Sequence, residues 1–413
     1  MSAKRKAAEQ ALLINARLKH LLCETPPEEE AELKYFLLSS GGVFLNKSLF
    51  SNIHGIAFCH NFSPFVDPSA YVASRRLGQL TSIVGKEINW HVFHACLHHS
   101  TTDEDFDLFF SKFHFSDRKQ VLNKAYWDEE FQFKWGEEAA NRAEEVKNVQ
   151  YIYSRSMWIG SHIAALKYKK KHPEVFWFAE FSDPISKNVF GTDREISSLK
   201  IRQDSPDFYK ELERSVIDGA DQVIFTNENQ KLYMLEYTNC GKNLAKCLSL
   251  PHPILKEEYL QVHHSNYRLC SQNINLAFFG SIYKNRDLSF IRELLNYKDV
   301  CLHLFIPKAV NLDDFFSYEE QKKIKRNDFI PYLEFLNLAS KMDYLLLNDV
   351  SYPKDKLNPY LPSKLSDYLA AGKKILAFVN PNTPLDNFKS EKIIKIKKIE
   401  DLDKIFKVSG DNK

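Results

Sequence analysis

The feature that most constrains the fold is a regular alternation of short apolar runs with longer segments of helical periodicity. The apolar runs include GIAFCH (Gly55 to His60), YIYSRS (Tyr151 to Ser156) and INLAFFG (Ile274 to Gly280). Alternation of this kind is typical of parallel sheets that are covered by helices. We therefore predict an α/β fold built of Rossmann-like, doubly wound sheets.

A polar stretch from Leu255 to Gln272 divides the alternation into two series and predicts a domain boundary. We assign residues 51–260 to an N-terminal Rossmann-like domain and residues 261–413 to a C-terminal one. With 413 residues, the chain is long enough for two complete cores. In two such domains that face each other, the carboxyl ends of the strands would meet at a central cleft, where ligands bind.

Three segments have expectations of their own. Residues 1–50 are predicted to form a helical extension, either packed on the domain or binding a membrane surface or a partner. Residues 103–150 are predicted to be largely helical. The basic run KKIKRN (Lys322 to Asn327) is predicted to be a solvated face, with contact to anionic lipid as the alternative.

Composition limits the class of protein and its partners. The net charge of +2 gives no reason to expect binding to nucleic acid. The seven cysteines are scattered without a CxxC pair, so we expect reduced thiols in a cytoplasmic protein. No apolar run approaches the ~20 residues of a membrane span, and the charged N-terminal segment lacks the apolar centre of a signal peptide.

The most informative motif is LPSKLSDYLAAGKKIL, from Leu361 to Leu376. Ser363 is a candidate N-cap, and Gly372 is predicted to end the helix. The amino end of a helix attracts phosphate, and Lys364 adds a full positive charge there. Asp367 follows one turn later and could accept hydrogen bonds from ribose hydroxyls. The alternative is an ordinary capped amphipathic helix without a ligand.

A second motif, FFGSIYKNRD from Phe278 to Asp287, combines a strand, a glycine turn and a helix entry. Gly280 would let the backbone come close to a ligand. Arg286, six residues later, could reach a diphosphate with its forked donor group.

Polar residues at predicted strand ends in the N-terminal half are further candidates. Glu180 and Asp183 lie in AEFSDP at the end of a buried strand, where α/β enzymes hold active residues, although Ser-Asp-Pro is also common turn chemistry. Arg155 follows another strand and could bind an anionic group or form a surface ion pair. His60 and Asn61 end the first strand and could shape an acceptor pocket, with a structural histidine as the equal alternative for His60.

Two clusters suggest a metal site only weakly. His91, His94 and His98 would share one face of a helix, but the alternation in INWHVFHA favours a strand that separates them. The acidic run DEDFD (Asp103 to Asp107) fits a solvated turn better than a metal site.

The PSKL segment resembles the nucleotide-sugar signature of retaining GT-B glycosyltransferases of the family 4 type, which include enzymes of bacterial capsule and lipopolysaccharide synthesis. By this resemblance, Asp367 takes the place of a ribose-binding Glu, and Arg286 that of a phosphate-binding Lys. Ser281 stands where the family often has an Arg. The family's Glu for the donor sugar falls at Pro359, and Asp355 or Asn358 could replace it.

The resemblance spans about residues 53–400 and implies a GT-B fold and a retaining hexosyltransferase-like activity. It implies a nucleotide-sugar donor, a glycan or lipid-linked acceptor, no metal and no cofactor. It also implies a cytoplasmic protein, with peripheral contact to the inner membrane as an option. The alternatives are a GT-B-fold nucleotide-sugar epimerase and a non-catalytic glycan- or partner-binding subunit. The predicted site residues fall into a catalytic set (Glu180, Asp183, Arg155), a donor-binding set (Gly280, Ser281, Arg286, Ser363, Lys364, Asp367) and an acceptor-binding set (His60, Asn61).

Overall fold

The structure is a computed structural model that describes residues 53–60, 62, 68–84, 88–94, 115–120, 129–156, 158–186, 206–255, 260–261, 263–280, 282, 289–352 and 356–406. The chain divides into two compact units between Ile254 and Leu255. This division lies at the start of the polar stretch that precedes the second strand–helix series.

The first unit contains a seven-stranded sheet in the order β3-β2-β1-β4-β5-β6-β7, in which every neighbouring pair is parallel. The buried strands are rich in Phe, Tyr, Ile and Val, which suit a sheet covered on both faces. The strands are β1 (His54–Phe58), β2 (Asn89–His94), β3 (Phe115–Gln120), β4 (Val149–Arg155), β5 (Phe176–Phe181), β6 (Gln222–Phe225) and β7 (Cys247–Ser249).

The helices of the first unit that the structure describes connect these strands and cover the sheet. The helices Glu129–Ala143 and Gly160–Lys171 pack closely against each other. A Cβ at Gly136 of the first would lie 2.8 Å from Cγ2 of Ile163 of the second. The core around them includes Trp135 and Trp177, both fully buried. The helices are α1 (Pro68–Val84), α2 (Glu129–Ala143), α3 (Gly160–Lys171), α4 (Pro206–Gly219) and α5 (Glu228–Tyr237), and a 3-10 helix (Gly241–Lys246) precedes β7.

The second unit contains a six-stranded parallel sheet in the order β10-β9-β8-β11-β12-β13. Its strands are β8 (Ile274–Phe279), β9 (Val300–Phe305), β10 (Ile324–Asn327), β11 (Tyr344–Asn348), β12 (Lys374–Phe378) and β13 (Ile393–Ile396). Its helices are α6 (Ser289–Leu294), α7 (Tyr318–Gln321), α8 (Tyr332–Ala339), α9 (Lys364–Ala370), α10 (Pro384–Asn387) and α11 (Glu400–Phe406).

Both sheets have the strand order of the Rossmann fold, in which the first strand of each unit lies at the centre and the order reverses beside it. The reversal falls between β1 and β4 in the first unit and between β8 and β11 in the second. Ligands of such sheets bind at the carboxyl ends of the strands at this point. The predicted fold class of two Rossmann-like α/β domains is therefore confirmed.

Two strands lie where the sequence predicted other structure. The segment 103–150, predicted to be largely helical, contains β3, and the basic run KKIKRN contains β10. Both strands lie at the edge of their sheet. Edge strands tolerate charged side chains, so FSDRKQ and IKRN lack the apolar run that marks a buried strand.

The basic run also contacts its own unit. Arg326 donates hydrogen bonds to the backbone carbonyls of Lys308 at 2.8 Å and Val310 at 2.9 Å. Lys322 forms an ion pair with Glu319 at 2.7 Å. These contacts agree with a solvated face, and contact with anionic lipid stays an untested alternative.

The expectation of reduced thiols is wrong for one pair. Cys270 and Cys301 form a disulfide, with their Cα atoms 6.6 Å apart. They are separated by 31 positions in the chain, and spacing alone gave no sign of the pairing. Cys59, Cys240 and Cys247 are free and buried.

Within the described part of the chain, no helix is long and apolar enough to cross a membrane. The predicted N-terminal extension and the DEDFD run lie outside the described residues.

Candidate active site

Lys364 and Gly280 lie against each other at the switch point of the second sheet. Gly280 follows β8 with a φ of +115°, which favours glycine. A Cβ built on Gly280 would overlap Cε and Nζ of Lys364. The ammonium nitrogen also lies 5.0 Å from the centre of the Phe278 ring. The two predicted donor motifs, 84 positions apart, therefore meet at one place.

Aromatic side chains hold the two motifs together. The hydroxyl oxygen of Tyr368 in α9 accepts a hydrogen bond from the backbone N–H of Phe279 at 3.1 Å. Phe335 of α8 packs against both residues, with its ring centroid 4.8 Å from that of Phe279 and 6.4 Å from that of Tyr368. These contacts fix the start of α9 relative to the turn after β8.

Ser363 does not act as predicted. It occupies the N-cap position of α9 but has helical dihedral angles, φ −60° and ψ −30°, and its side chain makes no capping hydrogen bond. The backbone N–H of Leu365 instead donates to the carbonyl of Pro362 at 3.0 Å, so the turn begins before Ser363. Ser363 therefore lies at the predicted N-cap position but does not cap the helix with its side chain, and its donor-binding role stays a prediction.

Asp367 lies one turn into α9 and is largely buried. Its Oδ1 accepts a hydrogen bond from the hydroxyl of Tyr332 at 2.6 Å. Tyr332 is the first residue of α8, directly after Pro331 at the N-cap. A ligand role for Asp367 stays a prediction, now with a named protein partner.

The loop before α9 contains one of the two suggested replacements for the donor-sugar Glu. Asn358 is buried, and its Oδ1 accepts a hydrogen bond from the backbone N–H of Tyr360 at 2.9 Å. The other suggestion, Asp355, lies outside the described residues, as do Ser281, Arg286 and Asn61.

Glu180 lies at the centre of a charged cluster at the carboxyl ends of β4 and β5. The parallel register places it beside Arg155, whose Nε is 3.7 Å from Oε1 of Glu180. Arg76 of α1 donates from Nε to Oε2 at 2.9 Å and from Nη2 to Oε1 at 3.3 Å. The hydroxyl of Tyr153 donates to Oε2 at 2.7 Å.

The charges in this cluster decide the protonation of Glu180. Burial by itself would raise its pKa, but the positive charges of Arg76 and Arg155 outweigh burial and lower the pKa to about 2. Burial lowers the pKa of His252, whose Nδ1 is 3.9 Å from Oε1 of Glu180, to about 3. At neutral pH the cluster therefore combines an ionised carboxylate, two guanidinium groups and a neutral imidazole.

None of the surface of Glu180 is exposed, and both of its oxygens face protein groups. This environment suits a residue that orients Arg155 and Arg76 better than one that contacts a substrate. Arg155 is itself buried, so its ion pair is not the surface pair that we considered. Asp183, two residues beyond β5, is half-buried.

His60 is fully buried after β1. Its Nε2 lies 3.1 Å from Nε2 of Gln132, and its ring packs edge-on against Trp135 with the centroids 5.1 Å apart. This is the environment of the structural histidine that we gave as the alternative.

The sequence analysis did not single out three residues that contact the candidate site residues. Arg76 lies in a run, SRRL, whose two adjacent arginines on an otherwise uncharged helix are the one available signal of a buried ion pair. Tyr332 and Phe278 carry no local signal, since each acts through a partner that is distant in the sequence.

Among the described residues, one group has its possible metal-ligand atoms close together, namely Cys270, Cys301 and His303. The two cysteines are joined by a disulfide, which leaves neither sulfur as a thiolate ligand. His91 and His94 lie on strand β2 as predicted, and His91 Nε2 contacts His54 Nδ1 at 2.8 Å. His98 lies outside the described residues.

No protein-family model matches the chain, and no curated protein matches it in sequence. Solved structures match it along most of its length. Sucrose-phosphate synthase from Thermosynechococcus elongatus aligns with a TM-score of 0.58 and 14% identity, over 87% of this chain and 90% of that one. The chain has the GT-B fold.

Two further structures support this assignment. The apo structure of OtsA aligns with a TM-score of 0.53 and 10% identity, over 87% of this chain and 92% of that one. The N-terminal domain of Candida albicans trehalose-6-phosphate phosphatase aligns with a TM-score of 0.52 and 11% identity, over 90% of this chain and 91% of that one. At these identities the likeness concerns the fold.

Proposed function

We propose that this protein is a glycosyltransferase that moves a sugar from a nucleotide-sugar donor to a glycan or lipid-linked acceptor. The observation that carries the proposal is the approach of Lys364 to the left-handed turn at Gly280. A cation over a side-chain-free turn at a sheet's switch point suits the diphosphate of a nucleotide. Asp367, three positions after Lys364 on α9, is the proposed partner of the ribose hydroxyls.

In the proposed reaction the bond between the anomeric carbon and the diphosphate oxygen breaks. A bond from that carbon to the acceptor oxygen forms on the same face of the ring, so configuration is retained. The acceptor proton passes to the departing diphosphate, and no separate base is needed. Lys364 and, by proposal, Arg286 stabilise the negative charge that develops on the leaving group.

We assign acceptor binding to the first unit, near the carboxyl ends of β1, β4 and β5. Arg155 and Asp183 are the proposed contacts there, and Asn61 is a further candidate from the sequence alone. We propose that Glu180 positions Arg155 through their ion pair, because Glu180 is fully buried. The proposal requires no metal ion.

The finer setting rests on the sequence resemblance. We extend the proposal to bacterial capsule or lipopolysaccharide synthesis in the cytoplasm, with peripheral contact to the inner membrane. The lipid-linked or glycan acceptor follows from the same resemblance.

A screen of nucleotide sugars for protection against thermal unfolding tests the donor first. A donor at a hundred times its dissociation constant adds ~2.7 kcal/mol of stability. Any donor that protects is then incubated with candidate acceptors, and the anomeric configuration of the product is read by NMR. A retained configuration supports the proposal.

The same assay separates the alternatives. Conversion of the nucleotide sugar without an acceptor would indicate an epimerase and contradict the transferase. Protection without turnover, across the acceptors tried, would indicate a non-catalytic binding subunit.

A further inference from the structure

The hydroxyl of Tyr332 joins α8 to the acidic residue of the signature helix. Its oxygen is 2.6 Å from Oδ1 of Asp367, within the range of a strong O–H to carboxylate hydrogen bond. Both side chains are buried, with 6% of Tyr332 and 7% of Asp367 exposed. A hydrogen bond to a carboxylate in such surroundings fixes the rotation of the carboxylate plane.

The position of Tyr332 is itself fixed from two sides. Pro331 is the N-cap residue of α8, with φ −52° and ψ 150°, and Tyr332 begins the helix directly after it. The ring of Tyr332 packs against Phe335, at 5.9 Å between centroids. Phe335 in turn contacts Phe279, which precedes Gly280. The tyrosine therefore belongs to the same aromatic cluster that sets the turn and the start of α9.

An aspartate reaches one methylene less far than a glutamate. A short carboxylate that must meet a ribose hydroxyl depends more on its orientation, since it has fewer torsions with which to adjust. The hydrogen bond from Tyr332 supplies that orientation before a ligand arrives.

We infer that Tyr332 is a positioning residue of the donor site, which orients Asp367 for one ribose hydroxyl and thereby sets the preference for ribonucleotides over 2′-deoxyribonucleotides. This inference rests on the proposed function. In this inference Tyr332 and Asp367 recognise the ribose of the nucleotide, whereas Lys364 binds its diphosphate.

The test is the affinity of the full chain for matched pairs of ribo- and 2′-deoxyribonucleoside diphosphates, with uracil, guanine and adenine as the bases, measured by titration calorimetry. The wild type should bind the ribonucleotide about ten-fold more tightly, a difference of ~1.4 kcal/mol. Tyr332→Phe should reduce this ratio to three-fold or less and leave the affinity for the deoxy form nearly unchanged.

A matched control is available in the same unit. The hydroxyl of Tyr297 donates to Oδ1 of Asp403 at 2.9 Å, so Tyr297→Phe removes the same kind of bond at another place. Tyr297→Phe should keep the wild-type ratio. If the wild type binds a diphosphate and Tyr332→Phe keeps the ten-fold ratio, the inference is overturned while the proposed function stands.

Two other outcomes of the titrations would also contradict the inference. Tight binding by the wild type without any preference for ribose would overturn the roles of Asp367 and Tyr332 alone. Binding of none of the diphosphates would overturn the proposed function and this inference together. If Tyr332→Phe is less stable, Asp367→Asn provides a second variant that should lose the same preference.

Discussion

Lys364 lies over the backbone of Gly280, in the space that a side chain at position 280 would need. Because Gly280 has a φ of +115°, the position suits glycine for two reasons, its backbone conformation and the side chain above it. The close approach links the glycine turn to the cation of the signature helix.

Gly280→Ala should displace the lysine side chain and weaken binding of a nucleoside diphosphate. Gly372→Ala is the matched control, since Gly372 also has a positive φ, +76°, but a Cβ there would meet nothing nearer than Nζ of Lys392 at 3.9 Å. Each variant should lose about 1–3 kcal/mol of stability from backbone strain. Only Gly280→Ala should lose diphosphate affinity, and equal loss in both would contradict the role of the contact.

Glu180→Gln should strongly destabilise the first unit. It removes the carboxylate that Arg76 and Arg155 share and leaves buried positive charge, at a cost of about 3–5 kcal/mol. Glu137→Gln is the control, because its ion pair with Lys167 is exposed and should contribute at most about 1 kcal/mol. Urea unfolding of both variants measures the difference, and similar small losses would refute the burial of Glu180.

Stability should fall as the pH falls from about 6.5 to 4. Burial lowers the pKa of His162 and His252 to about 3 and that of His303 to about 4. The unfolded chain binds protons on these groups near pH 6.5 while the folded chain does not, so acid favours unfolding. Each histidine should contribute up to about 2 kcal/mol of loss between pH 7 and 5.

The urea midpoint of His252→Asn should fall less over that interval than that of the wild type. Below about pH 4.5 the lowered pKa of Glu180 adds a second loss of the same sign, since its stabilising charge is lost between pH 4.5 and 2. A pH-independent midpoint between 7 and 5 would contradict the buried, neutral histidines.

The disulfide between Cys270 and Cys301 should stabilise the second unit by about 3–4 kcal/mol, since it closes a loop of 31 positions. A reducing agent should lower the melting temperature of the wild type but not that of Cys301→Ser. Peptide mapping without reduction should recover the two cysteines as one linked species. Free thiols at both positions would disprove the bond.

The contacts that could be predicted from sequence are those within one motif or one strand–helix unit. The turn at Gly280 and the lysine of PSKL follow from local patterns, and the α/β class with parallel sheets follows from the alternation of elements. The bond between Tyr332 and Asp367 joins residues 35 positions apart, and that between Arg76 and Glu180 joins residues 104 apart. No periodicity indicates such partners.

Some local features were missed for a different reason. Strands β3 and β10 are polar because each lies at a sheet edge, so they lack the apolar signal on which strand prediction depends. Ser363 has the residue type of a cap, but the turn from Pro362 already satisfies the backbone N–H of Leu365. Residue type gives a cap preference, and the surrounding turn decides whether it is used.

The most direct test of the donor site is titration calorimetry of UDP, GDP and ADP against the wild type, Lys364→Ala and Lys374→Ala. Lys374 is an exposed lysine of β12 that donates to the carbonyl of Glu391 at 2.8 Å, so its loss controls for charge in the same unit. Wild type and Lys374→Ala should bind one of these diphosphates equally well. Lys364→Ala should bind it more weakly by about 1.5–3 kcal/mol, the value of a hydrogen bond to a charged group. Equal affinity in all three proteins would contradict a diphosphate site at Lys364 and Gly280.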